Sequence, residues 1–198
     1  MFDIVTDVIP IQYQKHVESL MSEIPWYWHS NTSYQDGGEK YQQMQKLQQQ
    51  YPNIVDNGQF THAVLDDGNV FSSNIGFFIP ILYMFADKAK VTVTDILRIR
   101  INLMVQDKTF TYENYNYPHT DIMPSKVFLY YVNDSDGDTV LFNETAIDNN
   151  DAFPTQFNII KRVKPIAGTG VFFDSSRFHA SCNPAHTPAR YVINFNFT

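Results

Sequence analysis

Apolar positions change their rhythm roughly midway along the chain. In the first ninety residues they recur at helical spacing. Tyr13, Val17, Leu20, Met21 and Ile24 fall on one stripe, which predicts an amphipathic helix over 11–24 closed by Pro25. The run "IGFFIPILYMFA" (75–86) predicts a second, buried helix over about 76–88; it is too short to span a bilayer and contains Pro80. Between them "QQMQKLQQQ" (42–50) reads as the solvated face of a helix. From residue 96 strict alternation takes over. "ILRIRINLMVQ" (96–106) puts Leu97, Ile99, Ile101, Leu103 and Val105 on one face, and Arg98, Arg100, Asn102, Met104 and Gln106 on the other. Strand-like runs "KVFLYYVN", "DTVLFNE", "TQFNIIKRV", "GVFFDS" and "RYVINFNF" follow, with "NDSDGD" and "IAGTG" as turns. A helical front and seven or eight short strands predict a mainly β fold with flanking helices, a sandwich or barrel.

Composition narrows this. The 198 residues are 43% hydrophobic and 15% aromatic, enough for one globular domain over 1–198, with helical support in about 1–95 and a β core in about 96–198. The formal net charge of −7 opposes a phosphate backbone and makes nucleic acid an unfavourable partner. A lone Cys182 allows no internal disulfide. "MFDIVTDVIP" has no basic residue and does not read as a signal peptide, so a soluble, cytoplasmic protein without membrane association is expected.

The candidate chemistry begins at "YNYPHTDIM" (115–123). His119 and Asp121 share a face if this segment is extended, which suits either a satisfied loop hydrogen bond or two-thirds of a metal site. The motif is weak by itself. His179 stands just after a β run, and Arg190 opens the last strand eleven residues later. Two imidazoles and one carboxylate make the facial set of non-haem Fe(II) oxygenases, and a guanidinium can grip a carboxylate with two parallel bonds. Other features carry less. "NDSDGDT" mimics a Ca2+ loop, but its sixth and twelfth positions are Thr139 and Thr145, so it reads as a turn. His16, His29 and His186 read as surface residues, and His62 has no partner at a recognisable spacing. Asn102, Met104 and Gln106 stay unassigned, since alternation does not say which face looks inward.

In order along the chain, "HTD", "FLYYVN", "DGDTVLF", "AGTGVFF", "FHA" and "RYVINF" resemble the Fe(II)- and 2-oxoglutarate-dependent dioxygenases, in particular the prolyl-4-hydroxylase-like branch. The likeness covers about 96–198 and, more loosely, the first helix and "IPWYW". It implies a double-stranded β-helix, a cupin-like jelly-roll barrel. It also implies Fe(II) held by His119, Asp121 and His179, with Arg190 on the far carboxylate of 2-oxoglutarate and Tyr131 beside it. The implied reaction consumes O2 and 2-oxoglutarate, releases succinate and CO2, and hydroxylates a peptidyl (prolyl-like) or small-molecule substrate. The carboxylate of Asp121 points to hydroxylation rather than halogenation. The loop "NPAHTPA" departs from the family pattern and is expected to shape the pocket rim. Tyr115 and Tyr117 suit either packing or a lid over the substrate. The compact size and the Asn- and Tyr-rich texture are similar to phage-encoded members, which would place the protein in a host cytoplasm.

Three rivals fit less well. A nucleic-acid demethylase of this fold would carry a second Arg after Asn194, and none follows before Thr198. A non-catalytic jelly-roll binding module would not need an intact triad. A cupin-type dioxygenase without 2-oxoglutarate would show more closely spaced histidines. Substrate identity and oligomeric state are not legible in the sequence.

Overall fold

The computed structural model describes residues 2–34, 37–148 and 153–198. The N-terminal half holds β1 (Phe2–Val5), α1 (Ile11–Leu20), β2 (Tyr27–His29), α2 (Glu39–Gln50), β3 (Gln59–Asp66), β4 (Asn69–Val70) and α3 (Ile75–Ala89). The remainder is β: β5 (Ile96–Val105), β6 (Lys126–Tyr131), β7 (Thr139–Thr145), β8 (Ile159–Val163), β9 (Gly170–Asp174), β10 (Arg177–Ser181) and β11 (Ala189–Phe197). The front is therefore not purely helical. β3 escapes the alternation test because a bulge between Ala63 and Leu65 breaks its period of two.

Two sheets form. The larger runs β1-β9-β6-β11-β5-β3-β2, with β4 on β3; the smaller runs β10-β7-β8. The chain shuttles between them: β5 in the larger, β6 in the larger, β7 and β8 in the smaller, β9 in the larger, β10 in the smaller, β11 in the larger. Between β5 and β6 the chain visits the smaller sheet, where His119 and His179 exchange two backbone hydrogen bonds of 2.9 Å. This shuttling is the double-stranded β-helix, or jelly-roll, arrangement.

Alternation then allots each strand to two cores. Phe128 and Tyr130 of β6, and Ile193, Phe195 and Phe197 of β11, pack under α1 and α3 with Phe78, Ile81, Leu82 and Phe85. The intervening Val127, Leu129, Tyr131 and Val192 face the smaller sheet and meet Leu141 and Val163. The outer face of the smaller sheet, with Val140, Phe142, Phe178 and Ala180, is covered by Met44 and Leu47 of α2 and by Tyr115 and Tyr117. The Gln-rich stretch is thus the exposed side of a helix whose Met44 and Leu47 are buried. Among the described residues no helix is long and apolar enough to cross a membrane.

The helix-side core centres on Phe85, which stacks on Phe128 at 3.8 Å and touches Phe172 and Phe197. Phe85→Ala should cost about 3–5 kcal/mol, the range for emptying a buried aromatic site. Urea unfolding should show a lower midpoint with an unchanged slope; a loss below about 1 kcal/mol would mean that the cluster is not the anchor of α3.

Candidate metal centre

The cross-strand rung between His119 and His179 brings their side chains together, with ring centroids 4.4 Å apart. Asp121 lies two residues beyond, and one ligand atom from each of the three falls within 4.8 Å of the others. In both histidines Nδ1 faces a main-chain carbonyl, that of Tyr117 at 3.1 Å and that of Arg177 at 3.1 Å. A carbonyl can only accept, so Nδ1 carries the proton and Nε2 keeps its lone pair. Ser33 Oγ adds a 2.8 Å contact to His119 Nδ1. The Nε2 of His179 stands 3.7 Å from Asp121 Oδ2. Two neutral imidazoles and a carboxylate aimed at one point suit a divalent transition metal.

Electrostatics keeps the donors ready. Burial holds His119 down to about 4, with the neighbouring His179 adding to it; burial likewise lowers His179. For Asp121 burial alone would raise the carboxyl, but the Arg98 guanidinium and then the two imidazoles hold it well below the usual carboxylate range. Arg98 donates to Asp121 Oδ1, and Asn194 Nδ2 donates to Oδ2 at 3.1 Å. Oδ1 is thus occupied by a guanidinium while Oδ2 faces the imidazoles.

A narrow inner cavity of about 40 Å3 runs from His119 and His179 to Arg190. Arg190 is buried and donates to Thr139 Oγ1 at 2.7 Å, and Tyr131 donates to the same oxygen at 2.8 Å. Among the described residues no carboxylate lies within ion-pair distance of Arg190, and its Nε has no partner. A wider outer cleft of about 300 Å3 shares Thr32, Gln59, Asn102, His119 and Asn194 with the inner cavity and adds Arg98, Arg100 and Asp121.

Four of the five expected site residues, His119, Asp121, His179 and Arg190, therefore border these two adjoining spaces, while Tyr131 lies behind them and meets Arg190 through Thr139. Tyr115 and Tyr117 do not: both are buried beneath α2, Tyr117 donating to Gln48 Oε1 at 2.9 Å, and neither lines the cavities beside the triad. The lid reading is corrected accordingly. Met104 is fully buried, Asn102 lines both cavities, and Gln106 donates to the Ala185 carbonyl at 2.8 Å. The "NPAHTPA" loop is pinned by Asp136, whose carboxylate accepts from the backbone N–H groups of Ala185, His186 and Thr187 at 2.9 Å. Sequence reasoning missed Arg98, Arg100, Thr139 and Ser33. The available signal was two arginines alternating inside an otherwise apolar strand.

No family model and no curated protein matches this sequence. Solved structures do match in shape. An oxidoreductase of the 2OG-Fe(II) oxygenase family from Burkholderia pseudomallei superposes with a TM-score of 0.65 at 11% identity, over 100% of this chain and 84% of that one. HygX from Streptomyces hygroscopicus, solved with nickel and 2-oxoglutarate bound, gives 0.59 at 10% identity, over 99% and 82%. A prolyl hydroxylase from Trichoplax adhaerens, in complex with a hypoxia inducible factor peptide, gives 0.57 at 14% identity, over 99% and 82%. At these identities the likeness shows a shared fold.

Because burial keeps His119 neutral in the metal-free protein, the unfolded chain binds protons that the folded chain refuses once pH falls below 6.5. Stability should be level above about pH 7 and decline as pH falls from 6.5 towards 4. His119 alone should account for about 1–2 kcal/mol between pH 7 and pH 5, at about 1.4 kcal/mol per tenfold. Urea titration of chelator-treated protein checks this. His119→Asn should flatten the decline, and an equally steep one would contradict the assignment.

Proposed function

We propose that this protein is an Fe(II)- and 2-oxoglutarate-dependent dioxygenase that hydroxylates a peptidyl (prolyl-like) or small-molecule substrate. The observation that carries the reading is a pair of adjoining cavities with the His119, Asp121 and His179 cluster at one end and, at the other, the buried Arg190 guanidinium, which among the described residues has no carboxylate within ion-pair distance. A lone buried charge costs several kcal/mol unless something anionic meets it. A dicarboxylic keto acid answers both ends: one carboxylate for the metal, the other for Arg190.

In this reading Nε2 of His119, Nε2 of His179 and Oδ2 of Asp121 would hold Fe(II). Arg98, by occupying Oδ1, makes Asp121 present one oxygen and not two. Bound iron, with 2-oxoglutarate and O2, supplies the oxidising power, and succinate and CO2 are the coproducts. The protein's share is placement. Thr139 orients the Arg190 guanidinium and accepts the Tyr131 hydroxyl, whose proton is held tightly because burial pushes Tyr131 up to about 12. At about 40 Å3 the inner cavity is smaller than a five-carbon diacid, so lining side chains must give way when the cosubstrate enters. The Arg190–Thr139 bond is the contact most directly exchanged for the ligand's carboxylate.

Two measurements test this reading. His179→Ala should abolish stoichiometric anaerobic Fe(II) binding and succinate formation; retention of both would end the proposal. Arg190→Ala should raise the Kd for 2-oxoglutarate by roughly 10- to 150-fold, the worth of a charge-assisted hydrogen bond. Arg190→Lys should recover only part, because the planar fork is lost, and Tyr131→Phe should cost about 1 kcal/mol. An unchanged Kd in Arg190→Ala would move the cosubstrate elsewhere.

A further inference from the structure

We infer that Arg100 is the receptor for a substrate carboxylate, and that the substrate is a small carboxylic acid of amino-acid size. This rests on the oxygenase reading and names the substrate class for the same site. Arg100 sits two residues from Arg98 on β5, about 7 Å along the strand. Directly across the ladder lies Asn194, the residue that donates to Asp121. Arg100 lines the outer cleft beside the triad and also an adjoining cleft of about 390 Å3 beneath residues 28–34. It stands where the two spaces join.

Among the described residues its guanidinium is held only loosely, by one ion pair with Asp66 at 3.5 Å, with both side chains partly open to solvent; the carboxylate of Asp121 acts on it from further off. Such a pair is worth about 0–1 kcal/mol and is readily given up. Burial, and then the like charge of Arg98, weakens the hold of Arg100 on its proton, a crowding that an incoming anion relieves. The cleft offers further polar atoms without partners: Arg98 Nε, Asn102 Oδ1 and Asn194 Oδ1 are buried and unbonded. A buried polar atom facing a cavity is met by water or by a ligand. A planar guanidinium with free N–H groups matches a carboxylate in two-point fashion.

Reach sets the size. Arg98 touches a proposed metal ligand, and Arg100, one strand repeat from it and opposite Asn194, lines the same cleft as His119 and Asp121. A molecule gripped by Arg100 with a carbon presented to the metal therefore spans only a few bonds between carboxylate and reacting carbon. A free α-amino acid fits; within a long peptide only an Asp or Glu side chain could bring a carboxylate there.

The test follows succinate formation by the Fe(II)- and 2-oxoglutarate-loaded protein with a panel of free L-amino acids and their carboxamides. At least one free acid should stimulate turnover, and its carboxamide should show kcat/KM lower by roughly 10- to 150-fold. Arg100→Gln should raise KM for that acid by a similar factor, with Arg100→Lys between the two. A readout without turnover comes from Mn(II) at the triad under nitrogen. The acid's C–H protons should relax faster with the wild-type protein and lose that enhancement with Arg100→Gln. Carboxamides or peptides stimulating as well as free acids would overturn the proposal. So would an unchanged KM in Arg100→Gln, or no stimulation by any free acid while substrate-free succinate formation persists. Failure of the wild-type protein to bind Fe(II) or Mn(II) at all would instead remove the oxygenase reading, and this proposal with it.

Discussion

The centre of the larger sheet, β6 and most of β11, is buried on both faces, and most of the structure follows from that constraint. On β6 the residues from Val127 to Tyr131 are all buried, odd positions towards the smaller sheet and even positions towards the helices. A strand so placed has no solvated face on which to park polar side chains. Any polar group on the inner face must find a partner or a cavity, because an unpaired one costs several kcal/mol in an apolar surround. The inner faces of β5 and β11 nonetheless carry Arg98, Arg100, Asn102, Arg190, Asn194 and Asn196. The register sets Arg98 against Asn196 and Arg100 against Asn194. Opposite residues of an antiparallel pair share a face, so these groups collect in one patch and not along the whole sheet. That patch is the candidate site.

Within it the charges are arranged by mutual need. Asp121 is nearly inaccessible, and its carboxylate survives there because Arg98 and Asn194 occupy it. The same burial strips the imidazoles of their extra protons. Metal ligation requires that protonation pattern, since a protonated imidazole has no lone pair to give. The fold has thus met part of the cost of assembling like donors before any metal arrives. Gly137 makes a similar point for the other end of the cavity: a Cβ there would sit 2.5 Å from the Cys182 carbonyl oxygen and 3.1 Å from Arg190 Cδ. The turn can press against Arg190 only because that side chain is missing.

What could be read from the sequence was local or periodic. The β5 alternation, the helices around α1 and α3, and the ordered run of motifs from His119 to Arg190 all depend on neighbours within a few residues. The partners that make the site work are remote in sequence: Arg98 reaches Asp121, Ser33 reaches His119, and Thr139 joins Tyr131 to Arg190. No spacing rule announces them. Tyr115 and Tyr117 misled for an instructive reason. In an unbroken strand they would share the face of His119. Asn116 N bonds to Ser181 O while His119 pairs with His179, so three steps on one side oppose two on the other. That mismatch flips the parity of the segment and sends the tyrosines under α2.

The N-terminal half completes the site, and this changes what its segments are for. Residues 31–34 follow β2 without regular structure, yet they are tied down at several points. Gln59 donates to the Thr32 carbonyl at 2.8 Å, the Tyr34 hydroxyl donates to the Pro118 carbonyl at 2.5 Å, and Ser33 meets both His119 Nδ1 and the Tyr117 carbonyl. Thr32 and Ser33 also wall the outer cleft. A candidate metal ligand, His119, is thus oriented by a loop that also borders the outer cleft. Anything that displaces the loop withdraws a hydrogen bond from His119, and anything that fixes His119 helps to hold the loop. Outer hydrogen bonds of this kind set the orientation and basicity of a ligating imidazole. The coupling runs through one hydroxyl, that of Ser33, supplied by a stretch of chain that periodicity alone would discard as a linker.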